Sequence, residues 1–323
     1  MRQKRTHKKE TDCRQNQGCH AKRTATQVLP ACDMHRQRLA FSGVVLAMAI
    51  LVFLGGASVI LGAEEELSAT DIVQRSNRVA YYQGDDGRAR VEMTITDAQG
   101  RKRQRRLTIL RRDNRPEEDE KMEAFKKDEY TGDQRFYVFF HRPPDWEKTV
   151  FMVWKHVALN QDDDRWLYLP ALDLVKRIAA GDERTSFAGS HFFYEDISGR
   201  NTNEDEHELV NTTDTYYVLK NTPRKPKLVE FEYYKMWIHR GTFLPIKVEY
   251  FDNQGEKYRE YSVESVKQIQ GYWTVTRSRM SDLRSGGHTV VTYSDVEYDV
   301  GLPKDIFTKR YLRRRPDELE MGE

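Results

Sequence analysis

Cysteine is scarce in this sequence and is confined to its beginning. The 323 residues include three cysteines, Cys13, Cys19 and Cys32, and none follows the apolar stretch that ends at Ala63. Disulfides therefore cannot stabilise residues 64–323. The spacing of the three cysteines is a weak match to a zinc site, and we expect no metal there.

Motifs that mark hydrolases and metalloenzymes are also missing. His191 and Glu195 lie four residues apart, but no second histidine completes H-E-x-x-H. Ser190 follows Gly189 without the pattern G-x-S-x-G, and we expect Gly189 to permit a close backbone approach. A hydrolase that uses Ser190, His191 and Asp196 is the weakest alternative, because nothing in the sequence fixes their geometry. We expect no catalytic residue, no metal, no cofactor and no enzyme activity.

Neither sign of charge dominates the chain as a whole. It has 53 Lys and Arg against 51 Asp and Glu. Residues 1–63 are basic, with ten Lys and Arg against three Asp and Glu, whereas residues 64–323 carry 43 basic and 48 acidic residues. A slightly acidic folded part argues against a nucleic-acid partner.

The chain has one long apolar run, Leu39–Ala63, of 25 residues. A basic flank precedes it and small residues end it, which is the order of a secretory signal peptide over residues 34–63. We therefore expect export to the periplasm. The run is also long enough to span a bilayer, so an inner-membrane anchor that faces the periplasm is the alternative. Residues 1–33 are interpreted as a disordered basic extension or as sequence before a true start at Met34.

Residues 64–323 are predicted to form a single β-rich domain. An amphipathic helix is expected over Leu67–Gln83, with Ser68 or Thr70 as its N-cap. Ten or more short strands with alternating apolar residues follow, separated by polar turns, which favours an antiparallel meander. A sheet of that size tends to curl or close. The predicted fold is mainly β, an incomplete antiparallel β-barrel (a curved sheet) with a helical lid.

Two neighbouring segments are apolar at successive positions, R-F-Y-V-F-F-H from Arg135 and T-V-F-M-V-W-K from Thr149. Both faces of the sheet must therefore meet apolar groups there. The C-terminal L-P-K-D-I-F-T-K-R-Y-L is expected to place Phe307 and Leu312 against the sheet. In the last strand the apolar parity shifts, which predicts a bulge at Ser294 or Asp295.

A dense aromatic motif follows these strands. It reads D-D-D-R-W-L-Y-L-P-A-L-D-L-V-K-R-I over residues 162–178 and S-F-A-G-S-H-F-F-Y-E-D-I over residues 186–197. Ordinary core packing explains any one of these side chains, but together they predict an apolar ligand cavity. The predicted cavity residues are Phe151, Val153, Trp166, Tyr168, Leu169, Leu172, Val175, Ile178, Phe187, Phe192, Phe193 and Tyr194. The predicted polar contacts with a headgroup or lid are Lys176, Arg177, Ser190, Glu195 and Asp196.

The same motif closely resembles a signature of the outer-membrane lipoprotein-sorting protein family, the LolA-like periplasmic carriers. The likeness extends from D-I-V-Q-R-S at Asp71 to L-P-K-D-I-F-T-K-R-Y-L at Leu302, and it departs at His191, where an acidic residue is more usual. The resemblance implies a LolA/LolB-like incomplete barrel closed by helices, in which residues 64–323 bind lipid. It implies a monomeric, non-enzymatic chaperone that carries acylated lipoproteins or related lipids toward the outer membrane.

The carrier interpretation also implies partners and moving parts. An inner-membrane exporter would supply the acylated lipoprotein or lipid cargo, and an outer-membrane acceptor would receive it. The helix Ser68–Gln83 and the segment Gly181–Gly199 are the candidate lid. The alternative function is an accessory or docking subunit of an RND-type inner-membrane exporter, without its own cargo cavity.

Overall fold

The computed structural model describes residues 66–115 and 130–319. The predicted extension 1–33 and the predicted signal peptide or anchor 34–63 lie outside the described residues. Within the described ranges, no helix combines the length and the apolar character that a membrane crossing requires.

The described chain forms a 13-stranded antiparallel sheet, in the order β6-β5-β4-β3-β2-β1-β13-β12-β11-β10-β9-β8-β7. Edge strands β6 and β7 do not pair, so the curved sheet is not closed. The predicted curved antiparallel sheet is therefore confirmed. The strands are β1 (Asp86–Thr96), β2 (Lys102–Asp113), β3 (Gln134–Arg142), β4 (Val150–Lys155), β5 (Asp164–Leu169), β6 (Leu174–Ile178), β7 (Asp205–Thr212), β8 (Tyr216–Pro223), β9 (Tyr233–His239), β10 (Pro245–Phe251), β11 (Lys257–Ile269), β12 (Tyr272–Asp282) and β13 (Gly287–Tyr298).

Helix α1 (Ala69–Tyr81) begins with a reciprocal cap. The Asp71 backbone N–H donates to the Ser68 hydroxyl at 3.1 Å, and the Ser68 backbone N–H donates to the Asp71 carboxylate at 3.2 Å. These bonds satisfy amide donors that a helix start leaves open. Ile72 and Val73 are buried and pack in one cluster with residues of β8 and β9. Thus α1 lies on the inner face of the sheet near edge strand β7.

Strands β2–β5 are covered on both faces, as the successive apolar positions predict. The inner cluster consists of Val91, Met93, Leu107, Phe136, Val138, Phe140, Phe151, Val153, Leu167, Ile178, Phe187, Ala188, Phe192, Tyr194, Met280 and Val291. The outer cluster consists of Leu110, Tyr137, Phe139, Val150, Met152, Trp166, Leu302, Ile306, Phe307, Leu312 and Leu319. The C-terminal residues 302–319 therefore cover the outer face, and the predicted burial of Phe307 and Leu312 is confirmed.

A bulge in β13 bends the sheet beside β1. Arg88 pairs with Glu297 and Arg90 pairs with Ser294, so β13 has one extra residue over this stretch. Asp295 lies within it with a positive φ of 48°. The predicted bulge at Ser294 or Asp295 is confirmed, and a bulge of this kind increases local twist.

Residues 179–204, here called the crossing segment, connect the two edge strands of the sheet. The chain leaves β6 at one edge and enters β7 at the other, so it passes over the inner face. Its first half turns back on itself through an isolated bridge between Ser186 and Phe193. Ala188 and Gly189 at that turn have φ of 52° and 69°, as a tight hairpin turn requires. Helix α2 (Tyr194–Ser198) follows.

Candidate functional site

A cavity of about 390 Å³ lies between the inner face of the sheet, α1 and the crossing segment. Its volume falls within the range of small-molecule pockets in proteins, about 300–1,000 Å³. Most of its wall is apolar. Strands β1–β3 contribute Ala89, Val91, Met93, Leu107, Ile109, Phe136 and Val138. Strands β9–β13 contribute Met236, Val248, Tyr250, Tyr261, Met280, Val291, Tyr293 and Val296. Helix α1 and the crossing segment, which together cover the cavity, contribute Val73, Val79, Phe187, Phe192 and Ile197.

The crossing segment is anchored by aromatic side chains that enter the inner cluster. The Phe187 ring lies 5.7 Å from the Phe140 ring and 5.4 Å from the Phe151 ring, measured between centroids. The Tyr194 ring lies 5.1 Å from the Phe151 ring. Aromatic pairs at such distances add to the free energy of burial. This packing fixes one end of the crossing segment over β3 and β4.

Only part of the predicted site lines the cavity. Phe187 and Phe192 of the predicted cavity residues do so, as do Glu195 and Asp196 of the predicted polar contacts. The structure places Phe151, Val153, Ile178 and Tyr194 in the inner cluster next to it, and Leu169 packs against the same cluster. These last five side chains support the wall rather than face the open space.

The assignment of Trp166, Tyr168 and Val175 to the cavity is wrong. Trp166 belongs to the outer cluster, and Tyr168 and Val175 pack against it. The cause is the pairing register, because Trp166 lies opposite Met152 and so shares the face that the C-terminal residues cover. Leu172 is also misassigned, since it is 70% exposed in the turn between β5 and β6.

The predicted polar contacts fall into two groups. Lys176 and Arg177 lie exposed on edge strand β6, away from the cavity lining, and Arg177 pairs with Asp164 at 2.5 Å. Ser190 is buried in the hairpin turn of the crossing segment, where its hydroxyl accepts from the Phe192 N–H at 3.1 Å. None of these three side chains lines the cavity.

Glu195 lies at the centre of a buried ion network in the crossing segment. It pairs with Arg184 and, at 2.9 Å, with Arg200. Arg184 also pairs with Glu230 at 2.7 Å, although its side chain is only 6% exposed. Burial alone would raise the pKa of Glu195, but Arg184 and Arg200 outweigh burial and hold that pKa below its usual value.

Asp196 joins the crossing segment to the sheet. Its carboxylate pairs with the buried guanidinium of Arg259 on β11 and accepts from the Phe193 N–H at 2.7 Å. The Phe193 ring lies beneath Arg259, whose guanidinium carbon is 3.9 Å from the ring centroid. Phe193 therefore packs against arginine outside the cavity lining, which corrects its predicted place in the cavity.

The C-terminal end of α1 is held by one arginine. Arg111 of β2 donates to the carbonyl oxygens of Tyr81 at 3.0 Å, Gln83 at 2.7 Å and Gly84 at 2.7 Å. It also pairs with buried Asp113 at 2.8 Å. A cation at a helix C-terminus is favourable because the last carbonyl groups have no partner within the helix.

The Tyr81 side chain connects α1 with the crossing segment. A side chain at Gly199 would lie within 2.5 Å of the Tyr81 ring, so glycine leaves the room that this ring occupies. The buried ammonium group of Lys155 lies 5.2 Å from the centroid of the same ring and donates to the Ser198 carbonyl at 2.7 Å. Burial lowers the pKa of Lys155 to about 8.

The sequence interpretation missed the second wall of the cavity, which β9–β13 form. Val248 and Tyr250 alternate along β10, and Val291 and Tyr293 alternate along β13. This period of two was a usable signal for one buried face. It did not show that the buried face encloses space, because that depends on the curvature of the sheet.

Ser190, His191 and Asp196 do not form a catalytic arrangement in this structure. The His191 imidazole bonds to the Thr289 hydroxyl at 2.8 Å, the Ser190 hydroxyl bonds within its own turn, and Asp196 pairs with Arg259. Among the residues that the structure describes, no group of three or more His, Cys, Asp or Glu is arranged to hold a metal ion.

An open, curved antiparallel sheet around an apolar cavity, with a helix over its inner face, defines the LolA-like class of fold. A family model described as "-like: Uncharacterized protein" matches residues 132–314, more than half of the chain. No curated protein matches the chain.

Solved structures agree with this class. A DUF1329 family protein from Desulfovibrio piger is 29% identical, with a TM-score of 0.65 over 76% of this chain and 97% of that chain. A domain assigned to the outer membrane lipoprotein-sorting proteins, from Vibrio parahaemolyticus, is 27% identical, with a TM-score of 0.62 over 76% and 100%. A LolA superfamily protein from Nitrosomonas europaea shares the fold at 21% identity, with a TM-score of 0.55 over 76% and 99%. The chain belongs to the family that this model describes, and it is LolA-like in fold.

Proposed function

We propose that this protein is a non-enzymatic periplasmic carrier that holds the acyl chains of lipoproteins or related lipids in its cavity and delivers them toward the outer membrane. The observation that carries the proposal is the apolar space of about 390 Å³ under α1 and the crossing segment. The similarity to a lipoprotein-sorting domain supports the same class of cargo.

The cavity chemistry is sufficient for this role. Transfer of an acyl chain from water into apolar surroundings gains about 0.8 kcal/mol per methylene, or on the order of 12 kcal/mol for sixteen carbons. Binding therefore needs no strong polar contact. Release is the harder step, and a cover that opens when an acceptor binds the cargo more tightly would solve it. We propose that α1 and the crossing segment are this cover.

The partners follow from the proposed route. An exporter in the inner membrane would supply cargo and an acceptor at the outer membrane would take it, with the protein acting as a monomer between them. The apolar space under α1 and the crossing segment favours a carrier over an exporter subunit without its own cargo cavity. The proposed route requires neither a nucleic acid nor a cofactor.

Native mass spectrometry of the protein purified from the periplasm tests the proposal. Lipid masses should be retained by the unmodified protein. Val296 lines the cavity, so Val296→Trp should fill part of the space and reduce retained lipid several-fold. Val210 lies exposed on edge strand β7, so Val210→Trp is the matched control and should retain lipid normally. Absence of bound lipid from the unmodified protein, even after incubation with acylated lipoprotein, would contradict the proposal.

A further inference from the structure

Three tyrosines that line the cavity have hydroxyl groups without a hydrogen-bond partner in the described part of the chain. Tyr81 at the end of α1, Tyr250 on β10 and Tyr293 on β13 all line the space. Within residues 66–115 and 130–319, the hydroxyls of these three tyrosines make no hydrogen bond. Other tyrosines do so, since Tyr234 donates to Asp205 at 2.8 Å and Tyr298 bonds to Thr274 at 2.8 Å.

The three tyrosines line the same cavity. Tyr81 lies near enough to Tyr250, Tyr293 and the Asp196 carboxylate to interact with them electrostatically. All three residues are partly buried, and their hydroxyl groups are free of protein partners in a wall that is otherwise mostly apolar. They are therefore available to donate to a polar atom of a ligand in the cavity.

The charges around the three tyrosines indicate whether the ligand atom that they would bind is neutral or ionised. Burial raises the pKa of Tyr250 and of Tyr293 to about 12, so both phenols stay protonated and can donate at neutral pH. The nearby carboxylates are already neutralised, Asp196 by Arg259 and Glu195 by two arginines. These paired groups offer no free counter-charge to an ionised headgroup, and the Lys155 ammonium beside Tyr81 does not line the cavity. Burial of an unpaired charge is costly.

We infer that Tyr81, Tyr250 and Tyr293 form a subsite that donates hydrogen bonds to a neutral carbonyl oxygen, such as the ester or amide carbonyl of an acyl chain. The subsite would fix the depth at which the chain sits in the cavity, whereas the apolar wall accepts the hydrocarbon. This inference rests on the proposed lipid-binding function of the cavity. It adds that the cargo is recognised by its acyl linkage as well as by its apolar length.

A matched pair of ligands tests the subsite. Methyl hexadecanoate and octadecane have the same number of chain atoms, but only the ester has hydrogen-bond acceptors. Both can be delivered from cyclodextrin, and their binding can be measured by displacement of an apolar fluorescent dye. The unmodified protein should bind both ligands. Each Tyr→Phe change at 81, 250 or 293 should weaken ester binding by about fivefold, which corresponds to about 1 kcal/mol per hydrogen bond.

The triple variant Tyr81→Phe/Tyr250→Phe/Tyr293→Phe should bind the ester at least fivefold more weakly and should bind octadecane as the unmodified protein does. A control triple variant, Tyr216→Phe/Tyr217→Phe/Tyr233→Phe, changes tyrosines outside the cavity lining and should bind both ligands as the unmodified protein does. Ester binding that the first triple variant leaves unchanged would overturn the subsite while leaving the carrier function intact. Binding of neither ligand would overturn the carrier function as well.

Discussion

Single residues show how closely the cover fits the sheet. Gly199 leaves room for the Tyr81 ring, Arg111 binds the last carbonyl oxygens of α1, and Lys155 donates to the Ser198 carbonyl between them. Three chemically different contacts thus meet where α1 and the crossing segment touch. Because α1 and the crossing segment share this junction, a change in one should affect the packing of the other.

Gly199 tests that junction. It has a φ of 76°, and a methyl group there would lie 2.5 Å from the Tyr81 ring. Gly199→Ala should lower the free energy of unfolding by about 2–4 kcal/mol, through backbone strain and overpacking together. Gly255 is the matched control because its φ is 77° but nothing lies within 4 Å of an added methyl group. Denaturant unfolding measures both variants, and equal losses would show that the contact with Tyr81 is unimportant.

At the scale of elements, the sequence predicted that the strands exist but not which face of each strand turns inward. Alternation identified the antiparallel meander and the bulge at Asp295, because these depend on neighbouring residues. Alternation along β5 places Trp166 and Tyr168 on one face and Leu167 and Leu169 on the other. It could not say which pair faces inward, because that depends on the C-terminal residues, which lie more than 130 positions further along the chain.

Ion pairs as well as aromatic side chains stabilise the crossing segment. Glu195 is 3% exposed between Arg184 and Arg200, so Glu195→Gln should leave two buried guanidinium groups poorly compensated. We expect a loss of about 3 kcal/mol in the free energy of unfolding at pH 7. Glu206→Gln is the control, because Glu206 forms an exposed pair with Arg224 at 3.1 Å that contributes at most about 1 kcal/mol.

The pH dependence of the same variant has a definite sign. The folded pKa of Glu195 lies below its usual value of 4.5. Its contribution is therefore fully present above pH 4.5 and is lost as the pH falls through the folded pKa, where folded and unfolded states are both protonated. The stability difference between the unmodified protein and Glu195→Gln should shrink in acid. A difference that grows below pH 4 would contradict this assignment.

For the whole molecule, two apolar layers share one sheet. The inner layer surrounds a space and the outer layer is filled by the C-terminal residues 302–319. The existence of both layers was readable from β3 and β4, whose successive positions are apolar. The aromatic motif and the family resemblance both indicated a cavity. Its second wall could not be predicted from them, since that wall arises from the curvature that brings Val248 and Tyr250 opposite the β1–β3 wall.

The division into layers predicts that stability and cargo binding can be separated. Leu312 is 1% exposed in the outer cluster, so Leu312→Ala should lower the free energy of unfolding by about 2–5 kcal/mol. Because the outer cluster does not line the cavity, the lipid retained per folded molecule should not change. Leu228→Ala, at a position 68% exposed, should alter neither quantity. Loss of lipid from Leu312→Ala under conditions where it is fully folded would mean that the C-terminal residues control the cavity through the sheet.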